Sequence, residues 1–358
     1  MIGRRAFVAG SSLLLSCDRT VKTVDPPPSP PPPAPPVAAA LVERSTHALF
    51  DAHPALAKTL PRTELGHFPS RIDQAKRTNL WTKRDDLLGG GKTRKLELYF
   101  GDAKAAGKTR IVTSGGTGSN QAVAVARFGR AHGFDVGVYL APQPLSSLVA
   151  TNLAADAALG AEVRRFPSVI EAHSEALREA KERGDTYVIP PGGTTPLGTL
   201  GFVSAGLELA RDVESGRMPA PRRVYVALGL GGTSAGLAIG LALAGMKSEV
   251  VAVRTSNPTS VTLSTLRAIH EETMSFLRAR DASVPAIAFH DVHVHIDPRW
   301  VGGGYGFATP AGDAAILRAR DESALELDPV YTGKAFAAVL DDDTSDPLLF
   351  WNTASHAI

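Results

Sequence analysis

The sequence predicts an α/β fold, and three observations carry that prediction. Short apolar runs rich in β-branched residues alternate with longer segments of helical type. The runs are apolar along their whole length, as strands are when a parallel sheet is covered on both faces. Two of them end in a Gly/Ser/Thr turn that opens directly into a helix, the connection typical of βα units.

In order along the chain, the composition turns globular at about Leu41. Arg110–Thr113 reads as a strand, followed by a Gly/Ser turn and a helix from Asn120 to His132. Asp135–Leu140 is the next strand and Ser146–Leu159 the next helix. Glu162–Phe166 is a short strand, and Ser168–Arg183 a helix with a polar face. Arg223–Leu228 is a strand that runs into Gly229–Gly236 and an apolar helix, and Glu249–Val253 is another buried strand.

The chain has 358 residues, of which 44% are hydrophobic and 21% charged, the balance of an ordinary globular protein. Lysine and arginine number 38 against 36 acidic residues, so no strongly basic face argues for nucleic acid as a partner. Cys17 is the only cysteine, which excludes an internal disulfide scaffold and a thiolate zinc site.

The N-terminus places Arg4 and Arg5 before an apolar stretch, Ala6–Ser16, and then Cys17. That stretch falls far short of the ~20 residues a permanent membrane helix needs, so residues 1–17 read as an export signal. Leu14-Leu15-Ser16-Cys17 resembles a bacterial lipobox, with Cys17 as the lipidated residue, and Arg4-Arg5-Ala6-Phe7-Val8 resembles a twin-arginine core. Residues 18–43 carry a proline run, 26–36, that adopts polyproline II and spans on the order of 30 Å. The expectation is a protein of the bacterial cell envelope, touching the membrane only through its lipid and held off it by a stiff tether.

Five segments could carry chemistry. Gly89-Gly-Gly-Lys92 opens a helix, with Arg94 and Lys95 nearby. Helix-end dipoles and neighbouring cations lower the pKa of an amine and suit it to Schiff-base chemistry, although a solvated basic helix start reads the same way. Thr113–Gln121 ends a strand and opens a helix, so Ser119 and Asn120 offer hydrogen bonds at a helix N-terminus. Gly229-Leu-Gly-Gly-Thr-Ser-Ala-Gly236 is the better phosphate cradle. It is no dinucleotide fingerprint, because the third glycine position holds Ser234 and Glu249 begins the next strand instead of ending it. Gly302-Gly-Gly-Tyr305-Gly and Leu327-Asp-Pro-Val-Tyr331-Thr-Gly-Lys334 could aim two phenols into a cleft. On a strand, Asp291, His293 and His295 would share one face, but parallel side chains do not converge on one ion, so no metal is expected.

Together these segments, with Pro190–Gly201, resemble the fold type II pyridoxal-phosphate enzymes, specifically the D-cysteine desulfhydrase and 1-aminocyclopropane-1-carboxylate deaminase family. The resemblance runs from about Phe68 to Thr353 with the motifs in family order. It implies a two-domain, tryptophan synthase beta-like fold of parallel twisted sheets covered by helices. A small domain, 98–200, would be inserted into a large one formed by 44–97 and 201–358, in a homodimer.

The resemblance also assigns roles, with pyridoxal 5'-phosphate as cofactor. Lys92 would hold it as a Schiff base, and Asn120 would hydrogen-bond its ring oxygen. Leu230, Gly231, Gly232 and Thr233 would wrap its phosphate, and Thr353 would meet the pyridine nitrogen. Ser119, Asn120, Gln121 and Thr332 would bind the amino-acid substrate. Lys92, Ser119, Tyr305 and Tyr331 would be the catalytic groups. A hydroxyl at the pyridine nitrogen leaves it unprotonated, a weaker electron sink that suits elimination at the β-carbon.

The cyclopropane deaminases have glutamate where this chain has Thr332 and leucine where it has Thr353, so the two hydroxyls favour the desulfhydrase branch. The implied activity is β-elimination from D-cysteine or a related D-amino acid, giving pyruvate, ammonia and sulfide. A cyclopropane deaminase and an inert envelope-anchored binding protein of the same fold are the alternatives. The chain departs from the family in having Gly91 before the lysine where asparagine is usual, and Asn352-Thr353-Ala354-Ser355 in place of His-Thr-Gly-Gly.

Overall fold

A computed structural model describes residues 47–257 and 259–354; the export signal with Cys17, the proline tether and Ser355 lie outside the described residues. The described chain opens with α1 (Ala48–Ala52), α2 (Pro54–Thr59), β1 (Ile72–Gln74), β2 (Leu80–Arg84) and α3 (Thr93–Ala105). Next come β3 (Arg110–Gly116), α4 (Asn120–Ala131), β4 (Asp135–Ala141), α5 (Ser147–Ala158), β5 (Glu162–Arg165), α6 (Val169–Arg183) and β6 (Thr186–Ile189). The long α7 (Pro196–Glu214) leads into β7 (Arg223–Leu228), α8 (Gly232–Leu243), β8 (Glu249–Arg254), α9 (Leu263–Arg280) and β9 (Val294–Asp297). They are followed by α10 (Pro310–Ser323), α11 (Thr332–Asp341) and β10 (Leu348–Asn352).

Two sheets result, both within the unit Arg44–Ile358. The smaller has the order β5-β4-β3-β6 and is parallel throughout. The larger has the order β1-β2-β10-β7-β8-β9 and is parallel except for the β1–β2 pair.

The period-two geometry of a strand sorts the apolar residues between two helical layers. Val224, Val226, Val250, Leu349 and Trp351 pack with Phe202, Leu209, Leu237 and Leu241 of α7 and α8. Their neighbours Tyr225, Val251, Leu348 and Phe350 face the other way, onto Ala315 and Ala319 of α10 and Phe336 and Val339 of α11. In the small sheet, Ile111 packs with residues of α3 and α4, and Val112 packs with Ala172 and Ala176 of α6. This is why the strands read as apolar without alternation: both faces are covered.

The helix α7 was legible only as a motif, Pro190–Gly201, because its glycines weigh against a helix. The structure shows their use. A Cβ at Gly201 would stand 2.5 Å from the Arg94 carbonyl oxygen, and one at Gly240 would stand 2.2 Å from the Val203 oxygen. Glycine therefore lets α7 pack backbone to backbone against α3 and α8, which no side chain would permit.

Candidate active site

Open parallel sheets leave their ligand site at the carboxyl ends of the strands. Here β3 and β6 of the small sheet and β7, β8 and β10 of the large one all end on one cavity of about 510 Å³. Among its described lining residues Lys92 and Lys95 are the cations and Asp328 is the sole acid. The field inside therefore favours anions.

Lys92 is the N-cap of α3 and lines the cavity. Desolvation there pulls its pKa down from 10.5 to about 8. The cause differs from the sequence expectation, in which Arg94 was one of the neighbouring cations. Arg94 points away, into a buried cluster: its guanidinium donates to Asp85 at 2.8 Å and to Glu208 at 2.9 Å. Lys83 joins the same cluster, 2.7 Å from Glu208 and 2.5 Å from Asp212. Asp85 also accepts from the indole N–H of Trp351 at 2.8 Å, tying β10 to α3.

Lys95 enters the cavity instead. It is 2% exposed and donates to the Gly192 carbonyl at 3.1 Å. Desolvation and then the charge of Lys92 hold its pKa well below 10.5. A Cβ on Gly232 would lie 3.1 Å from its Nζ, so the ammonium stands over the turn that starts α8. Leu230, Gly231, Gly232 and Thr233 all line the cavity there, and Gly231 has φ +94°, a left-handed conformation suited to glycine. The buried Ser234 hydroxyl in the same wall has no hydrogen-bond partner. An orphaned hydroxyl, a helix N-terminus and a desolvated ammonium at one place fit a phosphate. The sequence reading missed Lys95 in this role; its three-residue offset from Lys92, nearly one helical turn, was the available signal.

Ser119 caps α4, its Oγ accepting from the Ala122 N–H at 3.3 Å. Asn120 Oδ1 accepts from Asn152 Nδ2 at 2.9 Å, which leaves the Asn120 amide as a donor on the cavity wall. Gln121 also reaches the wall, but its amide donates to Thr113 Oγ1 at 2.8 Å and to the Pro190 carbonyl at 2.7 Å. The Gln121 amide nitrogen thus braces β3 against the turn after β6, while the residue keeps its place on the cavity wall.

Tyr305 and Tyr331 meet in the cavity with their hydroxyls 2.7 Å apart. Burial raises the pKa of Tyr305 and drives that of Tyr331 well above 10, so both stay protonated at neutral pH. Asp328, unremarked in the sequence reading, holds Tyr331: its Oδ1 accepts from the backbone N–H of Val330 at 3.0 Å and of Tyr331 at 2.7 Å. Thr332 does not line the cavity. Its hydroxyl donates to Asp328 Oδ2 at 2.7 Å and accepts from the Asp328 N–H at 2.8 Å. That corrects the expectation of a substrate contact, since the side chain closes the turn before α11.

Thr353 follows β10 and lines the cavity beside Gly91, whose N–H donates to its carbonyl at 3.3 Å. A Cβ on Gly91 would stand 2.8 Å from both Cβ and Cγ2 of Thr353. The glycine before the lysine therefore makes room for this threonine. Away from the cavity, Asp291 and His293 do not share a strand face with His295. Phe289–Asp291 is a 3₁₀ turn and β9 starts at Val294, leaving His295 alone on the strand and 2.8 Å from Glu249.

The family model for pyridoxal-phosphate dependent enzymes matches residues 61–347. The Nocardicin C-9' epimerase of Nocardia uniformis subsp. tsuyamanensis is 34% identical over 313 residues, covering 83% of this chain and 93% of that protein. The D-cysteine desulfhydrase of Salmonella schwarzengrund (strain CVM19633) is 28% identical over 321 residues, covering 82% and 93%. The crystal structure of an ACC deaminase homologue superposes with a TM-score of 0.72 at 28% identity, covering 87% of this chain and 96% of its own. With a cavity that fits the cofactor's phosphate and an amine of lowered pKa beside it, the chain belongs to the fold type II family of pyridoxal-phosphate-dependent enzymes.

Proposed function

We propose that this enzyme is a carbon–sulfur lyase that takes D-cysteine and water to pyruvate, ammonia and hydrogen sulfide. The observation that carries the reading is the phenol pair Tyr305–Tyr331 in the cavity that Lys92 enters. It sets a base and an acid in one site. The cofactor supplies the electron sink at the α-carbon when bound. The chain supplies the rest. Lys92 Nζ, with its pKa near 8, is the group to hold the cofactor and to take the α-proton. The Asn120 amide and Ser119 hydroxyl are placed to orient the cofactor oxygen and the substrate carboxylate. A protonated phenol of the pair delivers a proton to the departing sulfur. Among the two hydroxyls that favour this branch, Thr353 alone faces the cavity, so the choice over the cyclopropane deaminase rests on it.

A second reading is epimerisation of an amino acid at its α-carbon, favoured by the 34% identity to an enzyme named as an epimerase. It uses the same base and acid, with the phenol returning the proton to carbon. The test is D-cysteine with the cofactor-loaded enzyme in deuterium oxide. Sulfide and pyruvate support the lyase; L-cysteine deuterated at the α-carbon with no sulfide supports the epimerase and overturns it. The envelope anchor at Cys17 and the homodimer remain part of the proposal, tested by metabolic labelling with a fatty acid and by light scattering.

A further inference from the structure

We propose that Lys334 is a positioning residue that fixes Tyr305 against Tyr331. Tyr305 sits in the segment Val301–Gly306, which belongs to no helix or strand, and three of its glycines have left-handed φ: Gly302 at +62°, Gly304 at +117° and Gly306 at +87°. Glycines in that conformation leave a turn with many accessible states, so something outside it must define its shape. Among the described residues, two side chains hydrogen-bond its backbone. Asn257 Oδ1 accepts from the Tyr305 N–H at 3.1 Å. Lys334 Nζ donates to the Val301 carbonyl at 2.9 Å and to the Gly304 carbonyl at 3.3 Å, gripping the turn on both sides of its bend.

Lys334 lies in the first turn of α11, three residues after Tyr331, and is fully buried. Burying an ammonium on carbonyl acceptors is costly, and a methionine would fill the same space without that cost. The charged head is thus explained by what it holds. One short segment, 328–334, then sets both phenols: Asp328 accepts the Tyr331 N–H, and Lys334 ties the turn that delivers Tyr305. The 2.7 Å contact between the two hydroxyls is the product of those two anchors.

The kinetic arm of the test rests on the lyase reading, and the hydrogen-exchange arm does not. Cofactor-loaded Lys334→Met should exchange amide hydrogens faster in peptides covering 301–306 while α11 stays as protected as in the wild type. Its kcat for D-cysteine should fall about 100-fold, the cost of a misplacement near 1 Å, with KM nearly unchanged. In a Tyr305→Phe background the same substitution should cost almost nothing further, because its effect runs through Tyr305. Unchanged exchange at 301–306, an unchanged kcat, or a full additional loss in the Tyr305→Phe background each overturns the proposal. If Lys334→Met does not fold, Lys334→Gln, whose shorter side chain cannot span the gap, is read by the same criteria. A wild-type enzyme that releases no sulfide would defeat the lyase reading, and exchange at 301–306 would then decide the role of Lys334 by itself.

Discussion

Lowering the Lys92 pKa from 10.5 to about 8 has a consequence that can be measured without substrate. At neutral pH an ordinary lysine is almost wholly protonated. A drop of this size raises the free-amine fraction there roughly 300-fold. The cause is removal of the ammonium from water inside the cavity. In the cofactor-free protein, an amine-reactive reagent at limiting concentration should label Lys92 at a rate that rises with pH and reaches half its maximum near pH 8. The sign follows from the reactive form being the neutral amine. Labelling would be read at Lys92 by fragment mass spectrometry, with an exposed residue such as Lys58 as the internal standard. A Lys92 midpoint near 10.5 would refute the desolvation argument. Addition of inorganic phosphate should move the midpoint upward, since an anion beside Lys95 stabilises the charged form.

Three further outcomes follow from the packing. Gly91→Asn, which restores the residue usual in this family, forces a Cβ to within 2.8 Å of Thr353 and should cost roughly 1–3 kcal/mol of thermal stability by overpacking; an unchanged Tm would contradict the clash. Both carboxylate oxygens of Asp156 are buried without a partner, and burial raises its pKa to about 7. The folded state then keeps a proton that the unfolded state has lost, so stability falls as pH rises from about 4 to 7, by up to roughly 4 kcal/mol. Asp156→Asn removes that penalty, and its Tm advantage over the wild type should be larger at pH 8.5 than at pH 5; an equal advantage at both would count against it. Arg94→Met leaves Asp85 and Glu208 buried without their guanidinium and should destabilise by about 3–5 kcal/mol in urea unfolding, where a change below 1 kcal/mol would sink the account of the cluster.

What the sequence made legible follows a physical pattern. The βα units from Arg110 to Arg183 and from Arg223 to Val253 were readable because covered strands leave apolar runs and helix starts leave caps such as Ser119, Ser146 and Ser168, whereas the short β6 between them was not. The strand β10 was not, since Leu348–Asn352 is a short apolar run of five residues without a following helix to mark a βα unit, yet it lies at the centre of the large sheet. Lys92, the glycine turn at 231–232, the two tyrosines and Thr353 were found through their motifs, and the structure brings all of them to one cavity. What escaped was the supporting set: Lys95, Asn152, Asp328 and Lys334. Their importance depends on partners that are distant in sequence or on which way a side chain turns from the backbone. Thr332 marks the same limit from the other side, a hydroxyl at the right place in a motif whose bonds are already spent on Asp328.

The measurement closest to the central claim is a single incubation of the cofactor-loaded enzyme with D-cysteine and 1-aminocyclopropane-1-carboxylate together, with the 2-oxo acid identified by mass spectrometry. The account predicts pyruvate and an equal amount of sulfide, both lost in Lys92→Ala. 2-Oxobutyrate in place of pyruvate would contradict it, and would mean that Thr353 does not select the branch.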